Sequence, residues 1–143
     1  MNDNKNIITT FIERVLNDRA LEHADAIVAE DFIELNPVPG QAQGREGFKD
    51  AIRQMLTSFP DMHWVIDGMV AEDDKVCTRF TWTGTHEGPF FGIPATGRRI
   101  AVKGVVIDRL VAGRMADSRM LMDTLSMMQQ LGVLPAPSAS ASH

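Results

Sequence analysis

The sequence predicts an α+β domain, on three observations. Apolar residues recur at helical spacing up to about residue 60, alternate at two-residue spacing to about residue 122, and return to helical spacing in a short closing segment. Helices that precede a run of antiparallel strands must be wrapped by a curved sheet if its apolar face is to be buried. Such a cone leaves a cavity at one end. A chain of 143 residues, 44% hydrophobic and 23% charged, has the size and composition of one globular domain with a real core.

Ile8, Phe11, Ile12, Val15 and Leu16 form the buried stripe of a first helix ending near Asn17 and Asp18. A shorter helix follows over residues 20–29, and residues 31–44, broken by Pro37, Pro39 and Gly40, read as loop. Phe48, Ala51, Ile52, Met55, Leu56 and Phe59 mark a third helix stopped by Pro60. Strand-like runs 62–71 and 75–85 flank an acidic turn at Glu72, Asp73 and Asp74, and a second hairpin joins 99–111 to 114–123. Asp123 or Thr124 caps a closing helix. Residues 1–134 are thus expected to be one domain, and 135–143, PAPSASASH, a disordered tail, in part a cloning remnant.

Register decides which side chains of the last hairpin share a face. A two-residue turn at Ala112 and Gly113 sets Asp108 beside Asp117 and Val106 beside Arg119, mixing charge and apolar groups on both faces. A three-residue loop, Val111 to Gly113, instead gathers Val102, Gly104, Val106, Asp108, Ala116, Ser118, Met120 and Met122 on one apolar face. Lys103, Arg109, Asp117, Arg119 and Asp123 then lie opposite, on a solvated or dimer-forming surface. In this register Asp108 is the lone carboxylate of an apolar face, where desolvation raises its pKa into acid–base range. The alternative is a carboxylate that reaches solvent or bonds a backbone amide.

His86 continues the parity of Phe80 and Trp82 and so points inward, as a pocket-rim imidazole or as a packed core histidine. Asp108 and His86 are the catalytic candidates and are expected to share a pocket. Asn36, Trp82, Phe90, Phe91, Val106, Ser118, Met120 and Met122 are candidate ligand contacts, Asn36 and Glu34 being equally good loop chemistry. The methionines of the last hairpin and helix suit a bulky apolar ligand or an irregular core. A less favoured site uses Arg119 and Asp123 and needs the opposite register.

A net charge of -5 with scattered basic residues argues against nucleic acid or an anionic membrane surface as partner. Cys77 has no partner for a disulfide, and His23, His63, His86 and His143 fall at no metal-ligand spacing, so no metal is expected. The N-terminus lacks the apolar core of a signal peptide, which points to the cytoplasm.

With GTHEGPFFGIPATGRR at 84–99, NPVPGQAQGREGFK at 36–49 and DTLSMMQQLG at 123–132, the chain resembles the SnoaL-like polyketide cyclase family over residues 8–134. The resemblance implies a nuclear-transport-factor-like cone with an apolar pocket, a homodimer or higher oligomer, and aldol ring closure of a polyketide without metal or cofactor. It also implies a carboxylate on the last strand and a histidine on the strand before. Residue-by-residue matching puts these at Met120 and Val106, neither of which moves a proton. Ser118 and Arg119 stand where relatives often carry histidine and tryptophan, His86 matches a loop histidine, and Asp123 matches the aspartate opening the final helix. The expected function is therefore a cofactor-independent acid–base enzyme, an aldol-type cyclase or an isomerase/lyase, acting on a polyketide-like or other apolar carbonyl compound. The alternatives are a small-molecule-binding or auxiliary protein without the dyad, and a hydroxylation- or isomerase-type relative.

Overall fold

The computed structural model describes residues 3–135. Helix α1, Asp3–Thr10, passes directly into a π-helical segment, Phe11–Asn17, and buries Ile8, Phe11, Ile12, Val15 and Leu16. Its end is bolted down by Arg19, at φ 59°, whose guanidinium donates to the carbonyls of Pro60 and Met62 at 2.7 and 2.9 Å. A 3-10 turn, Leu21–His23, leads into α2, Ala24–Ile27.

The next element corrects the sequence reading. Val28–Glu34, partly assigned to helix and partly to loop, is strand β1, which pairs in parallel with the last strand at the sheet edge. Helix α3, Gly44–Ser58, then crosses the inner face, with Phe48 stacked between Phe11 and Phe32. Strands β2, His63–Glu72, β3, Lys75–Thr85, β4, Arg99–Val111, and β5, Arg114–Met122, follow. The sheet has five strands in the order β1-β5-β4-β3-β2, curved and not closed. Helix α4, Thr124–Gln130, is capped by Asp123, whose carboxylate accepts from the Ser126 amide at 3.0 Å. No helix among the described residues is long and apolar enough to cross a membrane. The tail expected from residue 135 lies, apart from Pro135, outside the described residues.

The β4–β5 hairpin reaches the expected faces by a different route. Its loop is the two-residue turn, Ala112 and Gly113 at φ 51° and 79°, and a bulge between Leu110↔Met115 and Arg109↔Asp117 absorbs Ala116. That extra residue shifts the parity of β5, so Asp108 faces Ser118, Val106 faces Met120 and Gly104 faces Met122. Desolvation explains the choice: without the bulge Asp117 and Arg119 would enter the apolar interior.

The paired strands make the inner face a grid. One row reads Glu34, Ser118, Asp108, Val76, Ala71, the next Met120, Val106, Thr78, Met69, and a third Met122, Gly104, Phe80, Ile66. Val102, Trp82 and Trp64 form a fourth, with the two indoles stacked at 6.2 Å. Phe80, Trp82 and Val102 are buried against the helices, each side chain contributing about 1.5–3 kcal/mol.

Candidate active site

Almost every buried side chain of the inner face is apolar, and the exceptions on the strands are contiguous. Asp108 and Ser118 stand directly opposite each other, Glu34 stands opposite Ser118 from the other side, and Thr78 is diagonal to Asp108. Asp108 is 2% exposed and Thr78 fully buried, and among the described residues neither Asp108 Oδ1 nor Thr78 Oγ1 has a hydrogen-bond partner. A buried polar atom without a partner costs about 1–3 kcal/mol, so these two atoms invite an explanation.

Burial pushes the Asp108 carboxyl up to about 7, opposed by the Ser118 hydroxyl and reinforced by the negative charges of Glu34 and Asp117. Desolvation likewise pushes half-buried Glu34 up to about 7, against the backbone amides of Asn36 and Leu35. The inner face thus holds two carboxyl groups that exchange protons near neutral pH.

Asn36 holds this corner together from an exposed position, its Nδ2 donating to the Met120 carbonyl at 2.9 Å and its amide to Glu34 Oε2 at 3.3 Å. Met120 and Met122 are half-buried, and their unbranched side chains repack readily around a guest. Trp82 is completely buried and donates its indole N–H to Met122 Sδ at 3.1 Å, so it is wall rather than contact surface.

His86 points inward as its parity predicts and is completely buried, stacked on Phe59 with ring centroids 5.4 Å apart. The shared pocket with Asp108 is not formed. His86 follows the end of β3, whereas Val76, the partner of Asp108, lies near its beginning, about 30 Å of extended chain away. Its bonds are local: Nδ1 accepts from the Thr96 amide at 3.2 Å and lies 3.0 Å from Thr96 Oγ1. Its Nε2 has no hydrogen-bond partner among the described residues.

Phe90 and Phe91 line a separate groove of about 620 Å³, bounded by Val38 and by Gln54 and Met55 of α3. Phe90 is buried and Phe91 is 46% exposed at φ 51°. Ser58 closes one side, its hydroxyl donating to the Pro89 carbonyl at 2.6 Å while its own carbonyl accepts from the Glu87 and Gly88 amides. Neither catalytic candidate borders this groove.

The site built on Arg119 and Asp123 is overturned. Arg119 is exposed on the outer face opposite Ile107, and Asp123 is exposed and engaged as the α4 cap. Lys49, which sequence reading passed over, is 7% exposed on α3 and ion-paired with Asp25 at 2.9 Å and Glu46 at 3.5 Å. Those partners hold its pKa up, so it serves as a tie between α2 and α3. Among the described residues no cluster of three His, Cys, Asp or Glu side chains is placed to hold a metal ion.

An open five-stranded cone with titratable groups on its inner face defines a class of small-molecule enzymes and binders, and comparison narrows it. The SnoaL-like polyketide cyclase family model matches residues 6–131, and the chain belongs to that family. It is 30% identical over 123 residues to the aklanonic acid methyl ester cyclase DauD of Streptomyces sp. strain C5, covering 85% of this chain and 67% of that protein. Among solved structures, TsrD from Streptomyces laurentii superposes with a TM-score of 0.83 at 32% identity, over 91% of this chain and 95% of that one. IdmH from Streptomyces antibioticus gives 0.79 at 27% identity, over 92% and 99%. The relatives support a cyclase role in general terms.

Proposed function

We propose that the protein is a cofactor-independent acid–base enzyme that closes or rearranges a polyketide-like carbonyl compound, with Asp108 as the catalytic group. The observation that carries this reading is the partnerless Oδ1 of a carboxyl buried on the inner face and pushed up to about 7. The positions matched to the family's histidine and carboxylate, Val106 and Met120, face one another one row away. Acid–base work therefore moves one step along the same strands, to the nearest group able to take a proton.

The chemistry needs one carboxylate used twice. Ionised Asp108 takes a proton from the carbon next to a substrate carbonyl, the C–H bond breaks, and its electron pair becomes an enolate. The enolate carbon attacks a second carbonyl of the same molecule, a C–C bond forms, and the resulting alkoxide takes the proton back from Asp108. Thr78 Oγ1, partnerless among the described residues and diagonal to Asp108, is the donor assigned to the developing oxyanion. A carboxyl near neutrality suits both halves. His86, held among Thr96 and Phe59, supports the loop that follows β3.

The test is turnover of a panel of β-polyketone esters, aklanonic acid methyl ester among them, followed by mass spectrometry and NMR of the product. Asp108→Asn is expected to lose at least about 100-fold in kcat, and unchanged turnover in that variant overturns the assignment. The apolar Val106–Met120 pair favours a second reading, a binding protein. That reading stands if panel members bind and are recovered unchanged.

The proposal extends to a homodimer through the outer sheet face. Val70, Cys77 and Ile107 form one outer row and Val105 and Leu121 the next, with Val70 70% and Leu121 65% exposed. Arg79, Lys103 and Arg119 intersperse with Asp67 and Asp117, giving a self-complementary surface for a two-fold contact.

A further inference from the structure

We infer that Glu34, Ser118 and Asp108 form one proton-sharing unit, in which Glu34 on the edge strand sets the protonation of the buried Asp108 through the Ser118 hydroxyl. This rests on the reading of Asp108 as the acid–base group and adds a positioning residue to it.

The geometry comes from two different strand pairings. Ser118 is the register partner of Glu34 in the parallel β1–β5 pair and of Asp108 in the antiparallel β4–β5 pair, so its side chain stands between both carboxyls in one row. Directly opposed residues in a sheet are about 4.5–5.5 Å apart. A hydroxyl both donates and accepts, so Ser118, bonded to the Asp108 carboxyl, keeps the second bonding capacity that a link to Glu34 requires. The ends of the row differ in access: Asp108 is 2% exposed, whereas Glu34 is only half-buried at the sheet edge. One Glu34 oxygen is fixed by the Asn36 amide at 3.3 Å, and Asn36 is itself tied to the Met120 carbonyl.

Among the described residues no cation competes for the proton. The inner-face contributions of α1, the π-helical segment and α3 are apolar, with Ile8, Phe11, Phe48 and Ile52 among them. Lys49 and Arg45 on α3 are engaged by Asp25 and Glu46. Arg109 pairs with Asp117 on the other side of the sheet at 2.7 Å, and Asp117 adds only negative charge to the field at Asp108.

Transfer along the row balances without a co-reactant. Glu34 gives its proton to Ser118 Oγ as Ser118 gives its own to Asp108, so ionised Asp108 and neutral Glu34 become neutral Asp108 and ionised Glu34. The unit keeps one negative charge throughout, and two carboxyls with one proton between them supply a base and a donor together.

The test reads the carboxyls directly, without substrate. Carboxyl-13C NMR titration of the full chain is expected to show Asp108 titrating in coupled steps. In Glu34→Gln, Asp108 should titrate in one step with its midpoint lower by about one pH unit, and the acidic limb of kcat/KM should move with it. Ser118→Ala should move the Asp108 midpoint upward, and Glu34→Asp should restore the coupled titration. An Asp108 titration unchanged in both Glu34→Gln and Ser118→Ala overturns the shared unit while leaving Asp108 as the acid–base group. Full turnover by Asp108→Asn removes that role, whatever the titrations show.

Discussion

Asp108 on β4 faces Ser118 on β5 across the inner sheet, and one oxygen of its carboxyl has no partner among the described residues although the side chain is almost completely buried. A charge in that position is destabilising unless something binds it, so the fold carries a visible cost at this point. Functional sites are where such costs accumulate.

That cost depends on pH with a definite sign. Folding raises the Asp108 pKa from 3.8 to about 7, so the folded state binds the proton more tightly than the unfolded chain. Stability is then greatest below pH 4 as far as this group is concerned, falls as pH rises towards 7, and is level above it. Asp108→Asn should remove this dependence and raise stability at pH 8 by up to about 4 kcal/mol. Urea unfolding of both proteins at pH 5 and pH 8 measures it, and an equal effect at the two values would contradict the burial argument.

His86 is expected to matter for stability and loop order rather than for the proton. Replacing it with Ala removes the acceptor of the Thr96 amide and leaves a cavity beside Phe59. A loss of about 2–4 kcal/mol is expected. Hydrogen exchange should accelerate across residues 86–98, with kcat on any turned-over substrate changed less than tenfold.

Gly104 lies where two elements approach too closely for a side chain. A Cβ there would meet the Leu121 carbonyl oxygen and the Phe80 ring, both at 2.6 Å. Gly104→Ala should therefore destabilise by about 1–3 kcal/mol, seen as a lower Tm without loss of strand content in circular dichroism.

For the proposed dimer, Leu121→Lys and Ile107→Lys place charge in the exposed apolar rows of the outer face without touching the inner one. Sedimentation equilibrium should show a dimer for the parent chain and a monomer for the double variant, with an unchanged far-ultraviolet spectrum. A parent chain that sediments as a monomer at micromolar concentration would remove the proposal.

The legible parts of this molecule were those fixed by local pattern. The Phe48 to Phe59 stripe gave α3, the alternation of Phe80, Trp82 and Val102 gave the inner face, and the apolar parity of β4 gave Asp108 its orientation. Strand β1 was hidden because Glu30, Asp31 and Glu34 make it read as loop, and only Val28 and Phe32 are buried along it. An edge strand with one solvated face tolerates that composition. With β1 unseen, the place of Glu34 beside Ser118 could not be deduced. The separation of His86 from Asp108 was equally out of reach, because parity tells which face a side chain takes and not how far along the strand its partner lies.

The bulge at Ala116 lets β5 carry one residue more than its pairing with β4 needs without changing which side chains face inward. Deleting that one residue would leave Leu110↔Met115 and Arg109↔Asp117 as successive pairs of a regular ladder, with Ser118 and Met120 still opposite Asp108 and Val106. A lineage carrying this scaffold can therefore lose that codon and keep its apolar, carboxyl-bearing interior, the change in length being taken up at the bulge.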